Sequence, residues 1–325
     1  MQKLLFCICC AVAGWMMYAG VVLAQEWKPE RNVEVIVPSG PGGGTDKTGR
    51  TVQLLLQNLK LVDKSTVINK PGAAGRLGML YLNQHAGDGH YIAVSTVTLL
   101  TNHIAGTSNV TYTDMTPVAQ LFSEYILFAV RADSPIKSGQ DMVERLKQDP
   151  QSLSFGVTAI GGTSHMVAGL VISKAGGDAK RLKMVVFKGG GEVTSALLGG
   201  HVDVVPAPVA NLLPHIKSGR LRALAISSSQ RLAGDLAPVP TWRELGVDAV
   251  FDTWRGLVGP KGMTPAQMAY WDQVLSRMTK AEDWKKDLVN NYWGDNYLNS
   301  SQARPYLDNE YKDFKKILGD LGLAK

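Results

Sequence analysis

Val35-Ile36-Val37-Pro38-Ser39-Gly40-Pro41-Gly42-Gly43-Gly44-Thr45-Asp46 decides how the rest of the chain is read. It begins as a β-branched run that suits a buried strand and then breaks into a Gly/Pro loop. Thr45 stands where a helix N-cap is wanted. Beyond it Thr48, Val52, Leu55, Leu56 and Leu59 recur at helical spacing. The stretch therefore reads as strand, glycine loop, helix. Such a junction aims free backbone N–H groups and the positive end of a helix dipole at one point, which suits an anion. The competing reading is a tight turn that uses glycine for backbone freedom.

The loop suits a small carboxylate more than a nucleotide phosphate. A phosphate loop needs Gly directly before Lys-Ser/Thr, whereas Lys47-Thr48 follows Asp46, whose carboxylate would repel a triphosphate. The dinucleotide pattern G-x-G-x-x-G ends on Thr45 if started at Gly40 and on Lys47 if started at Gly42. A small carboxylate fits better. At Gly43 a branched side chain is expected to block the anion and to strain a backbone of positive φ.

Working outward, Thr66 to Asn69 and Tyr91 to Ser95 read as strands, with a helix carrying Leu77, Leu80 and Tyr81 between them. The alternation gives an α/β class with a mostly parallel sheet. Glu124 to Val130 is a strand at which the chain crosses to a second lobe. There the pattern repeats: strand Leu153 to Val157, small-residue loop Thr158 to Ser164, helix His165 to Lys174. A third loop, Lys188-Gly189-Gly190-Gly191, joins the strand Met184 to Phe187 to a helix at Glu192. Asp203 to Val205, Leu221 to Ile226 and Phe251 to Val258 are further strands. Three tail helices, Thr264 to Lys280, Asp283 to Asn290 and Ser301 to Ile317, are expected to pack on lobe one. Two glycine loops, one per lobe, would then face each other across a cleft.

Residues 1–24 read as a cleaved leader, with a retained membrane anchor as the competing reading: Lys3, an apolar run from Leu4 to Leu23, and Val22-Leu23-Ala24 before Gln25. The three cysteines, Cys7, Cys9 and Cys10, all fall within it, so the mature chain would carry no disulfide and no thiolate site. The formal charge is +6, one less without Lys3, and the basic residues are scattered, which argues against nucleic acid as a partner. Some 300 residues exceed what one core usually holds. Lobe one is expected at 25–126 with 228–325, and lobe two at 127–227. None of the six histidines has metal-ligand spacing. Gly162-Thr163-Ser164-His165-Met166 lacks the closing Gly of a nucleophile elbow. Its hydroxyls read as donors to a carboxylate or as helix caps. No catalytic residue, metal or cofactor is expected.

The ordered set of loops resembles the Bug-type extracytoplasmic solute-binding proteins of the tripartite tricarboxylate transporter family. The matching pieces are Pro38 to Asp46, Asn69-Lys70-Pro71-Gly72-Ala73-Ala74-Gly75, Asp88-Gly89-His90-Tyr91, Lys188 to Gly191, Leu197 to Asp203, Gly219 to Ala225, Pro238-Val239-Pro240-Thr241 and Trp254-Arg255-Gly256. The resemblance implies a two-lobed periplasmic binding protein fold of type II-like form, with mixed sheets and a hinge of crossing strands. It also implies a monomer in the periplasm that captures a citrate-like di- or tricarboxylate, as in the tricarboxylate branch, for membrane transport subunits. A subunit that presents the carboxylate to a signalling receptor is the alternative. The implied ligand-binding residues are Ser39, Gly40, Gly42, Gly43, Gly44 and Thr45 in the first loop, and Thr158, Gly161, Gly162, Thr163 and Ser164 in the second. Asn102, Gly190, Trp254 and Arg255 complete the set. Many relatives have Asp where Ala207 stands, so an ammonium-bearing ligand would lack its partner here. Lys188 and Arg255 either add positive charge near the ligand or are spent in salt bridges.

Overall fold

The structure, a computed structural model, describes residues 27–325. The segment read as a leader, with its three cysteines, lies outside the described residues. In chain order the strands are β1 (Val33–Val37), β2 (Ser65–Asn69), β3 (Tyr91–Thr96), β4 (Thr116–Arg131), β5 (Ser154–Val157), β6 (Lys183–Val186), β7 (Val205–Pro208), β8 (Leu221–Ile226) and β9 (Asp252–Gly259). The helices are α1 (Gly44–Asn58), α2 (Arg76–Asn83), α3 (Thr98–Ile104), α4 (Gly139–Gln148), α5 (Thr163–Lys174), α6 (Gly190–Leu198), α7 (Val209–Lys217), α8 (Pro265–Lys280), α9 (Glu282–Asn291) and α10 (Ser300–Asp320).

Lobe one is a mixed sheet rather than the mostly parallel one expected: β2, β1 and β3 run parallel, but β9 is antiparallel to both β3 and β4, because the late strand returns from the second lobe. β1 lies between β2 and β3, parallel to both, with Val35 opposite Val67 and Ile92. β9 then joins antiparallel, pairing Val94 with Leu257. Helices cover both faces, so β1 reads as an almost continuous apolar run. Val33, Val35 and Val37 pack with Val52 and Leu56 of α1, Trp271 of α8 and Trp284 of α9. Ile36 and Ala93 face the other way, toward Met79 and Leu82 of α2.

β4 links the lobes. Over its first part it pairs with β9, Ser123 opposite Trp254; over its last part it pairs with β7 and β8, Phe128 opposite Pro206 and Ala225. Both patterns bury nearly all of it. Ser227 ties the crossing strands together: its N–H donates to Ile126 O at 3.0 Å, its hydroxyl accepts from Ile126 N at 2.9 Å, and the same hydroxyl donates to Phe251 O. In lobe two β5 and β6 are parallel, and an isolated bridge from Phe155 to Val204 connects them to the rest.

Three readings differ from the structure. The crossing strand starts eight residues before Glu124, and the last strand of the Asp203 region is shifted to Val205–Pro208. Two prolines argue against a strand from sequence, yet pairing to β4 and burial of Pro206 override them. The seven-residue α3 carries too few turns to announce itself; α4, whose Ser138 N-cap accepts from Asp141 N at 3.1 Å, was overlooked. The last helix, α10, does not rest on lobe one alone. Leu318 sits beneath Gly161, and Leu321 packs so closely on Gly169 of α5 that a Cβ there would lie 2.6 Å from Leu321 Cδ2. No helix among the described residues is long and apolar enough to cross a membrane.

Candidate ligand-binding cleft

Three helix N-termini open onto one cavity of about 730 Å³ between the lobes. α1, α5 and α6 begin after Gly43, Gly162 and Gly189, each extended and none with a side chain capping the helix. Thr45 is therefore not the N-cap it was read as; it is the second residue of α1. Glycine at each cap leaves the first-turn N–H groups without a side-chain acceptor, so their partial positive charge points into the cavity. The tips of α1 and α6 meet across the cleft: a Cβ on Gly43 would lie 3.6 Å from Gly190 N.

The first loop is held from behind. The buried Asp46 carboxylate accepts from Gly42 N at 3.0 Å, Arg50 Nε at 2.8 Å and Asn69 Nδ2 at 2.8 Å. Asn69 also donates to Ser39 O at 3.0 Å, which closes the loop at its other end. Burial alone would raise the Asp46 carboxyl. Hydrogen bonds from Arg50, Asn69 and Gly42 outweigh it and hold the group below the usual carboxylate range. The left-handed residue here is Gly42, at φ +83°, not Gly43, at φ −93°. A branched residue at Gly43 would thus be unstrained in its backbone, and its obstruction would come from branches reaching Gly190.

Arg255 lines the cavity, but its charge is spent. It forms an ion pair with Glu124 at 2.6 Å, both side chains buried, and donates from Nη1 to Trp254 O at 3.1 Å. Trp293 Nε1 donates to the other Glu124 oxygen at 3.1 Å. Of the two readings of Arg255, the salt bridge is the one the structure adopts. Lys188 is at the exposed rim, its backbone N–H donating to Glu192 Oε2 at 3.1 Å.

Ser39, Gly40, Gly43, Gly44, Thr45, Thr158, Thr163, Ser164, Gly190 and Arg255 all line the cavity. Five predicted residues do not. Gly42 faces Asp46 instead. Gly161 turns its N–H to His165 Nδ1 at 2.9 Å, and Gly162 turns its own to Ala159 O at 3.2 Å. His165, buried and accepting that bond, is lowered below its ordinary value by burial. Trp254 is buried behind the wall and donates to Glu310 Oε2 of α10 at 2.9 Å. Burial pushes the Glu310 carboxyl up to about 7, and the bonds from Trp254 and Tyr306 only partly offset this. Asn102 supports the wall from outside it: its Nδ2 donates to Ala74 O at 3.0 Å.

That contact leads to the wall segment that residue chemistry missed. Gly72, Ala73, Ala74 and Gly75 all have positive φ, at 131°, 45°, 52° and 94°. Two alanines in the left-handed region cost roughly 1–2 kcal/mol each. The motif Pro71-Gly72-Ala73-Ala74-Gly75 was visible, but alanine gives no sign of left-handed backbone. Lobe two adds Val186, Phe187, Val193 and Pro206-Ala207-Pro208, with Asn211 beside Gly190.

Residues 50–323 match the tripartite tricarboxylate transporter family receptor. The chain belongs to this family. Over 266 residues it is 31% identical to the protein BugT of Bordetella pertussis, covering 78% of this chain and 79% of that one. It is similar in structure to the periplasmic binding protein BugD, with TM-score 0.83, 22% identity, and 92% and 100% of the two chains covered. It is also similar to MatC of Rhodopseudomonas palustris, solved with bound malate, with TM-score 0.78, 25% identity, and 90% and 100% covered. The family is one of substrate-binding receptors, and the expected α/β two-lobed binding-protein fold stands.

Proposed function

We propose that this protein captures a small organic carboxylate in the periplasm and hands it to the membrane subunits of a tripartite transporter. The observation that carries the reading is the convergence of three uncapped, glycine-led helix N-termini on one inter-lobe cavity. Backbone N–H groups at helix starts bind carboxylates and supply no general base or nucleophile. The malate found in MatC supports the ligand class. Ala207 lies in the wall, 6% exposed, and offers no carboxylate to a ligand ammonium, so the ligand is one without an amino group.

In this reading the leader 1–24 is removed, the mature protein acts as a monomer, and the lobes close on the ligand about the crossing strands. We place the crossings at Ile126 and near Phe251 rather than after residue 227. Residues 228–250 then travel with lobe two, because Trp242 meets Phe128 edge-on at 4.9 Å and Leu245 and Trp242 pack on Gly139 of α4. Calorimetry on the mature protein tests the function. Carboxylates without an amino group should bind, aspartate and glutamate should not, and Gly43→Val should abolish binding with the circular dichroism spectrum unchanged. Unaltered affinity in that variant would reduce the first loop to a turn.

A further inference from the structure

The charges around the cavity do not balance a citrate-like ligand. Arg255 is neutralised by Glu124 inside the wall. Lys188 is exposed at the rim, where Glu192 of opposite sign also lines the cavity. What remains is the positive end of three helices, roughly half a charge each. That suits one sequestered carboxylate and leaves two further ones in a citrate without compensation.

The hydroxyls fill the gap only in part: Ser164 spends its proton on Pro206 O, and each of the pairs Thr96–Thr98 and Thr163–Thr253 uses one of its two protons. Thr96 and Thr98 bond each other at 2.8 Å, Thr163 bonds Thr253 at 3.3 Å, and Ser164 donates to Pro206 O at 2.6 Å. Across from the helix tips, lobe two presents Val186, Phe187, Val193, Pro206, Ala207 and Pro208. Val186 stands out: it is a large apolar side chain on the edge strand β6, left 53% exposed, and it lines the cavity. Apolar surface left open in a concave site marks where a ligand's apolar part rests.

We infer that the preferred ligand is a monocarboxylate with an apolar, ring-sized body, its carboxylate at the helix tips and its body against Val186 and the Pro206–Pro208 strand. This rests on the receptor reading above and narrows it. A cavity of about 730 Å³ has room for such a body beside the anion site.

Calorimetry on the mature protein with 3-phenylpropionate, malate and citrate tests it. The expected result is that 3-phenylpropionate binds at least tenfold more tightly than malate or citrate. Val186→Gln should weaken 3-phenylpropionate by about tenfold, and Val186→Ile should restore it. Malate or citrate binding more tightly than 3-phenylpropionate would overturn the inference and leave the receptor reading standing. So would a Val186→Gln variant with unchanged affinity for 3-phenylpropionate. Binding of none of the three, nor of any other carboxylate, would remove the receptor reading and the inference together.

Discussion

Two loops of lobe one border the same cavity and are held in opposite ways. Ser39 to Asp46 is held by a buried carboxylate: Asp46 gathers Gly42, Arg50 and Asn69, and Asn69 reaches on to Ser39 O. Gly72 to Gly75 has no such hub. It runs through four successive positive φ values, two of them on alanine, and its described side-chain support is Asn102 on Ala74 O. The first loop is preorganised by charge-assisted hydrogen bonds, each worth about 1.5–3 kcal/mol. The second stores backbone strain of similar size that the surrounding fold sustains. A receptor can thus fix a binding wall either by rewarding one conformation or by supporting a costly one.

Asp46→Ala breaks the first device and should have the largest effect. Three donors lose their shared acceptor, for a loss of about 3 kcal/mol of stability. Calorimetric melting should show a drop of several degrees, and carboxylate affinity should fall more than tenfold. The pH dependence has a definite sign. Asp46 is held below its usual value in the folded protein, so its contribution is present above the unfolded pKa and is lost as pH falls through the folded one. The wild type should therefore lose stability on acidification by more than Asp46→Ala does. Equal acid sensitivity of the two would show that the hub carries no charge-dependent stability.

The contrast between the loops also explains what could be read from the sequence. Strand, glycine loop and helix were legible at Val35 to Leu59 because β-branched runs, glycine and helical spacing each leave a residue-type signature. The same held for Thr158 to Ser164 and Lys188 to Gly191, and ten of the proposed site residues do line the cavity. The failures are of two physical kinds. Asn102 and Trp254 were placed at the ligand but act behind the wall, because a sequence does not say which way a polar side chain points. The Gly72–Gly75 wall and the apolar side at Val186 were missed because left-handed alanines and the facing of an edge strand are set by tertiary context, whereas Ala207 was placed at the ligand and does line the cavity. Arg255 could be read either way until its pairing with Glu124 was seen.

Asn102→Ala attacks the second loop and should cost less than Asp46→Ala. One neutral hydrogen bond is lost, about 1 kcal/mol, and Ala74 O is left with water as its partner. Because Ala74 is exposed in the wall, the change should appear in affinity more than in melting temperature. A fall of about fivefold in carboxylate affinity with a shift of no more than a few degrees is expected. A variant that melts many degrees lower with normal affinity would make Asn102 a core residue with no bearing on the cleft.

Ala74→Gly should have the smallest effect, and its two consequences oppose each other. Glycine removes the left-handed penalty at φ 52°, a gain of roughly 1–2 kcal/mol in the folded state. It also frees the unfolded chain, a loss of about 0.5–1 kcal/mol. The balance is a stabilisation of between about 0 and 1.5 kcal/mol, read as a small rise in melting temperature. The same freedom acts on the cavity, because the segment no longer has a side chain restricting its backbone. Asn102 still holds the carbonyl of residue 74, so affinity should change less than threefold. A destabilised Ala74→Gly protein would mean that the alanine methyl makes contacts worth more than the strain it imposes, and the two loops would then differ less than their backbones suggest.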